Sequence, residues 1–265
     1  MSHSTKTPTH LFFTTIIALG LCTQASAATV FQYEGNVDPL TLSNWTKSPG
    51  DNGAVGAGTE IINSVSYDYW QVEDNTSSQG NFYAYDVASN TVDFTNDWYL
   101  ESSLRVINSP TVPGTTNVPA QAVVVADGLN YWSFYVGNDV IGPVDGAGSS
   151  VSFSMSQTLP ADYWNDYHTF AIQFSQNAIG SADDTADFFI DGVLIWNDIG
   201  RDAMYSSGNS LIGFGGVSTL GTGEANYDYI RFDDGSVGVV PIPAAIWLFG
   251  SGLIGLVGFA RSKKA

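Results

Sequence analysis

Tyr99, Tyr131, Tyr135 and Tyr167 alternate with apolar residues in three short segments, and Glu101, Arg105, Ser133, Thr169 and Gln173 accompany them on the polar positions. A phenol ring stacks on the C–H face of a sugar, while neighbouring carboxylate, guanidinium, amide and hydroxyl groups fix its hydroxyls. Tyr99, Glu101, Arg105, Tyr131, Tyr135 and Tyr167 therefore form a candidate carbohydrate-binding surface, on the condition that the three segments share one sheet. Tyrosine is also a good strand former with a wet tip, so the same pattern arises in strands that bind nothing.

Residues for catalysis are sparser. Between the two chain ends there are five glutamates, Glu34, Glu60, Glu73, Glu101 and Glu224. Glu101 lies on a clear strand, at an alternating position beside Arg105, and reads as the partner of an ion pair. His168 is the one histidine outside the N-terminal segment. It falls on the same side as Phe170 and Ile172, which packs it at a strand start and leaves a histidine metal site or a Ser-His-Asp triad without support. Asp183, Asp184 and Asp187 crowd one loop, the oxygen-rich composition that can hold calcium, but without EF-hand spacing the plain reading is a solvated acidic loop. No other cofactor is indicated. The single cysteine, Cys22, excludes an internal disulfide.

The elements that must position these residues read as strands. In Asp97–Ile107, Trp98, Leu100, Leu104 and Val106 share one face, and Tyr99, Glu101, Ser103 and Arg105 the other. In Tyr131–Val136, Trp132, Phe134 and Val136 oppose Tyr131, Ser133 and Tyr135. In Tyr167–Phe174, Phe170, Ile172 and Phe174 oppose Tyr167, Thr169 and Gln173. Val151, Phe153 and Met155 alternate with serines. This period of two, with one dry and one wet face per segment, is that of a sandwich. Asp191-Gly192 between Phe188-Phe189-Ile190 and Val193-Leu194-Ile195 predicts a two-residue type I′ hairpin that sets Ile190 opposite Val193 and Phe189 opposite Leu194. Both faces of that hairpin are apolar, so each is expected to be covered. Val30–Glu34 is the first strand expected and Asn226–Phe232 the last. Gly50–Gly58 reads as a loop, and 233–239 as a linker.

The chain ends carry addresses. Lys6 precedes an apolar run, Leu11 to Cys22, and Ala25-Ser26-Ala27 completes a secretory signal peptide cleaved between Ala27 and Ala28. At the other end, a Pro-flanked turn leads into Ala244–Ala260, which has no ionisable side chain, followed by Arg261, Lys263 and Lys264. Such a segment spans a bilayer as a short helix with its basic end in the cytoplasm. Without the two ends, Lys47, Arg105, Arg201 and Arg231 face all 26 acidic residues, a balance of −22. A surface so acidic repels nucleic acid and anionic lipid.

The tail V-P-I-P-A-A-I-W-L-F-G-S-G resembles the PEP-CTERM sorting signal of Gram-negative bacteria, with Val240, Pro241, Pro243, Ala244, Trp247 and Arg261 at the motif positions. Ser262 departs from it, standing where a second arginine is usual. The resemblance implies recognition by an exosortase, transient anchoring in the inner membrane, and release or transfer to the cell surface or matrix. The body, from Tyr33-Glu34-Gly35 through W-Y-L-E-S-S-L-R-V and D-F-F-I-D-G-V to Y-D-Y-I-R-F, is similar to the concanavalin A-like lectin/glucanase jelly roll, especially its laminin-G-like members. Catalytic members carry E-x-D-x-x-E or a close variant on one strand, and this chain has no such run.

The expectation is thus an all-β jelly-roll sandwich over 28–232, with signal peptide 1–27, linker 233–239 and sorting segment 240–265 containing a transmembrane helix over 244–260. Its partners are signal peptidase, exosortase and an exopolysaccharide. The role expected is that of a non-catalytic surface or matrix protein. A structural protein without ligand, and a glycoside hydrolase or lyase of the same fold, stay open as alternatives.

Overall fold

The computed structural model describes residues 29–48, 53–75, 80–87, 97–110, 119–127, 131–143, 157–175, 185–200, 210–217 and 222–234. The signal peptide, the sorting segment with Val240 to Arg261, the Val151–Met155 alternation, and Asp183 and Asp184 lie outside the described residues. Fifteen strands follow one another in the described chain: β1 (Thr29–Glu34), β2 (Trp45–Lys47), β3 (Val55–Ile62), β4 (Val65–Asp74), β5 (Phe82–Asp86), β6 (Trp98–Asn108), β7 (Gln121–Asp127), β8 (Tyr131–Val136), β9 (Val140–Pro143), β10 (Gln157–Thr158), β11 (His168–Ser175), β12 (Thr185–Ile190), β13 (Val193–Gly200), β14 (Ser210–Gly216) and β15 (Gly223–Asp234). They form two antiparallel sheets. One has eight strands in the order β13-β12-β11-β6-β15-β4-β3, with β1 also paired to β15; the other has seven, in the order β10-β9-β8-β7-β14-β5-β2. This is an all-β sandwich, consistent with a jelly roll.

The dry faces meet as the alternation requires. Trp98, Leu100, Leu104 and Val106 of β6, Phe170, Ile172 and Phe174 of β11, and Tyr227, Ile230 and Phe232 of β15 are buried against Val123, Val125, Trp132, Phe134, Ile212 and Phe214 of the second sheet. Aromatic rings dominate this layer. Trp98 stacks on Phe174 at 5.1 Å and meets Trp132 edge-on at 5.6 Å, and Phe214 lies 4.7 Å from Tyr227. Ring pairs at these spacings add about 0.5–1.5 kcal/mol each beyond the area they bury.

The Asp191-Gly192 turn has φ of 50° and 73°, the two positive values of a type I′ turn, and Ile190 pairs with Val193 and Phe189 with Leu194 as expected. The expected cover is found on β12, where Phe188, Phe189 and Ile190 are buried, but not on β13, an edge strand whose Val193 and Leu194 are 59% and 48% exposed. β15 runs two residues further than expected, taking Asp233 and Asp234 from the linker into pairing with Tyr99 and Trp98. The Gly-rich stretch read as a loop is in part a strand, since Val55–Gly58 belong to β3 and pair with Val72–Tyr69.

Candidate functional site

The outward residues of the eight-stranded sheet lie in rows set by register. Gln173 of β11 pairs with Tyr99 of β6, which pairs with Asp233 of β15; Ala171, Glu101 and Arg231 form the next row, and Thr169, Ser103 and Tyr229 the third. A register shift between Tyr227 and Tyr229 puts one extra residue, Asp228, into β15. With Tyr227 and Ile230 both buried on the inner face, the shift leaves Asp228 and Tyr229 together on the outer one.

Glu101 organises the open part of this face. The Tyr99 hydroxyl donates to its Oε2 and the Tyr229 hydroxyl to its Oε1, each at 2.8 Å. The Arg231 guanidinium lies over the Tyr229 ring, 3.9 Å from its centre, and reaches Glu34 at 3.8 Å. Burial pushes the Tyr99 and Tyr229 hydroxyls well above the ordinary phenol value, and the Glu101 carboxylate pushes them the same way. Both phenols therefore stay protonated and act as donors, not as bases or nucleophiles. Burial also raises the Asp228 carboxyl; a Ser103 hydrogen bond opposes this and the charge of Glu34 adds to it. The result is two rings held in place by one carboxylate, edged by the half-buried Gln173, Thr169 and Asp233. Side chains fixed in this way are preorganised, so a ligand docking on them would cost little side-chain entropy.

A second cluster adjoins it. Arg105 Nη1 pairs with Glu60 Oε2 at 3.1 Å; Tyr167 donates its hydroxyl to Glu60 Oε1 at 2.6 Å, and Asn226 its amide to the same oxygen at 3.0 Å. The Tyr167 ring stacks on Tyr67 at 4.2 Å and 12°. The expected pairing of Glu101 with Arg105 is thus replaced. Glu60 arrives on the β3–β4 hairpin and takes Arg105, while Glu101 is held by two tyrosines.

Four of the six expected binding residues, Tyr99, Glu101, Arg105 and Tyr167, share this face. Tyr131 and Tyr135 do not. Their strand, β8, belongs to the seven-stranded sheet, so the three tyrosine-bearing segments do not make one surface. Both are buried, at 9% and 4% exposure, in a second apolar cluster with Ala122, Val124 and Ala126. Alternation assigned them correctly to the face away from the main core, but that face is covered. His168 sits at the start of β11, its Nδ1 2.7 Å from Asp191 and its Nε2 2.8 Å from the Tyr163 carbonyl. Asp187 accepts the Asp198 amide, and among the described residues no group of three acidic, histidine or cysteine side chains is placed to hold a metal.

Tyr229, Arg231, Glu60 and Asn226 were not singled out by sequence. One signal for the first pair was available: Tyr227-Asp228-Tyr229-Ile230-Arg231-Phe232 has an apolar-facing register only if a bulge interrupts it.

No family model matches the chain, and no curated protein matches its sequence. Solved structures do match in shape. A conserved carbohydrate esterase from a Shiga toxin-encoding bacteriophage superposes with a TM-score of 0.50 at 12% identity, over 80% of this chain and all of that one. The chain is a two-sheet antiparallel β-sandwich. The T. cruzi calreticulin globular domain gives a TM-score of 0.46 at 10% identity, covering 89% of this chain and 100% of that one, and the Emp47p carbohydrate recognition domain gives 0.41 at 13%, covering 80% and 99%. At such identities the likeness is one of fold, and function rests on the site.

Proposed function

We propose that this is an exported, non-catalytic surface or matrix protein that holds a neutral or weakly charged polysaccharide on the open rows of its eight-stranded sheet. The observation that carries the reading is the convergence of the Tyr99 and Tyr229 hydroxyls on Glu101, with Arg231 packed on the Tyr229 ring. The Tyr99 ring and the edge of Tyr229 left by Arg231 offer apolar surface to sugar C–H groups, and Gln173, Thr169 and Asp233 offer donors and acceptors to the hydroxyls. Two or three such contacts support an affinity of about millimolar to high micromolar per site. Many copies on one cell surface would hold a polymer by avidity. The balance of −22 disfavours strongly anionic chains.

In this reading the body is a concanavalin A-like jelly roll used for binding alone. The chain leaves the cytoplasm by its signal peptide, is cleaved between Ala27 and Ala28, and is handled by an exosortase at Pro241 and Pro243. The platform uses no metal. Retention of the full chain on immobilised neutral glucans, with and without a chelator, tests this. Wild type is retained in both conditions, Tyr99→Ala/Tyr229→Ala is not, and Tyr131→Ala is retained in proportion to its folded fraction. Release of reducing ends from the same glucans would make the protein an enzyme, and absence of retention would leave a structural role.

A further inference from the structure

The β3–β4 hairpin leaves its sheet part-way along. β4 pairs with β15 from Asp74 to Trp70 only, and beyond Tyr227 the partner on that edge of β15 is β1. Gly35 marks the fork. Its amide donates to the Asp228 carbonyl at 2.6 Å, and a Cβ there would run into the Tyr227 carbonyl and lie 2.8 Å from Trp70 N and Tyr69 Cα. From this point residues 59–68 pair only with each other, through to Ile62 opposite Val65. The hairpin nevertheless reaches β6, β11 and β15, which requires it to arch across the outer face. Glu60 meets Arg105, Tyr167 and Asn226 there, Tyr67 stacks on Tyr167, and Asn63 donates to Asp166 at 3.0 Å.

The arch is fastened by polar groups. Ile61 and Val65 at its tip are 75% and 50% exposed and seat nothing on the sheet. The Arg105–Glu60 pair keeps about a fifth of each side chain open to water, at 21% and 23%. What the arch covers is the next row of the same face. Tyr167, just before β11, and Arg105 of β6 lie two residues from Thr169 and Ser103, about 7 Å further on, and Asn226 of β15 pairs with Arg105. Asn226 is only 4% exposed, and its Oδ1 has no hydrogen-bond partner among the described residues. A buried acceptor left in this state is destabilising, and a ligand hydroxyl donating to it would remove that cost.

We propose that the β3–β4 hairpin is a cover, latched by Glu60, over a second sugar subsite made of Tyr167, Arg105 and Asn226; this rests on the reading of the open rows as a polysaccharide platform. A neutral polymer lying on those rows runs into the hairpin. When Glu60 lets go, Arg105 Nη1 and the Tyr167 hydroxyl are free to donate to sugar hydroxyls while Arg105 Nε stays on the Trp164 carbonyl, and Asn226 Oδ1 accepts one. The Tyr167 ring, uncovered by Tyr67, offers a third stacking surface. Opening leaves the exposed tip as it is and uncovers chiefly the stacked faces of Tyr67 and Tyr167, and a sugar seated on Tyr167 restores that contact, which biases the equilibrium towards the open form.

Two measurements on the full chain test this, in a Cys22→Ser background and mild detergent. In amide hydrogen exchange, Glu60→Gln speeds residues 59–68 about tenfold while β6 and β15 keep their wild-type rates. Asn63→Cys/Asp166→Cys, joined by a short bis-methanethiosulfonate linker, loses several-fold of its retention on neutral glucan and regains it with reductant. Equal exchange in wild type and Glu60→Gln overturns the latch. Retention indifferent to the linker overturns the subsite while leaving the platform. Absence of retention by every form, unlinked wild type included, overturns the platform and the subsite with it.

Discussion

Asp191→Asn removes one charge from the staple that ties the β12–β13 turn to the start of β11. His168 stacks on Tyr163 at 3.8 Å, and both its nitrogens face acceptors, Asp191 Oδ2 at 2.7 Å and the Tyr163 carbonyl at 2.8 Å. Both can be satisfied at once only if both carry protons, so the staple is an imidazolium. Burial pulls the His168 pKa down, but the Asp191 hydrogen bond, the Tyr163 carbonyl and the charges of Asp191 and Asp166 outweigh it, and the net direction is up from 6.5. For Asp191, burial acts upward and is outweighed by His168 and by the Thr169 amide, so the net direction is down from 3.8. The signs follow from linkage. A raised histidine contributes fully below its unfolded value and loses the contribution as pH rises through its folded one. A lowered carboxylate contributes above its unfolded value and loses the contribution only as pH falls through its folded one. The staple is therefore complete between roughly pH 4 and 6.5 and is lost as pH rises through the raised His168 value. A charged hydrogen bond is worth up to about 3 kcal/mol, but the Asp191 side chain is 50% exposed, and screening brings the pair to about 1 kcal/mol. For a domain of this size that is about 2–4 °C in Tm. Asparagine tolerates the φ of 50° at this position, so the substitution removes charge without breaking the turn. Thermal melts of both proteins between pH 5 and pH 9 should show Asp191→Asn lower by this amount at pH 6 and the gap closing by pH 9. A gap of equal size at both ends, or an imidazole that titrates by NMR at or below 6.5, refutes the reasoning.

Gly35→Ala forces a methyl against the backbone of Tyr227, Trp70 and Tyr69, none of which can yield as a flexible side chain would; denaturant titration should show a loss of about 1–3 kcal/mol. Residues 28–238 alone should give a β-dominated circular dichroism spectrum and sediment as a monomer, because both sheets and the main core lie between Thr29 and Asp234. Pro241→Ala/Pro243→Ala should leave the full chain in the membrane fraction, since the apolar segment persists while the recognition turn is lost; release equal to wild type contradicts the sorting role of those residues.

Local chemistry was legible in the sequence and non-local pairing was not. Asp191-Gly192 dictated its own turn and the register of both flanking strands. Alternation in β6 and β11 separated Trp98, Leu100 and Ile172 from Tyr99, Glu101 and Gln173, because side-chain direction in a strand follows from position alone. Alternation does not say which sheet a strand joins, which is why Tyr131 and Tyr135 were grouped with Tyr99 and Tyr167. Nor does it say whether the outer face is covered. The arch was hidden by Gly56 and Gly58, which read as loop, although Asn63-Ser64 between two β-rich runs is a turn signal, and both residues have positive φ, 51° and 70°. Glu60 gained its role through contacts 45 and 107 residues away along the chain, a relation no local pattern encodes.

The central claim is that the open rows bind neutral polysaccharide. Amide chemical-shift mapping of the full chain in detergent with a neutral glucan oligosaccharide addresses it directly. Shifts centred on Tyr99, Glu101, Gln173, Tyr229 and Arg231, saturating at millimolar or lower concentration and leaving β7, β8 and β14 unmoved, are the predicted result. Shifts confined to the seven-stranded sheet, or none with any neutral oligosaccharide, would contradict the account.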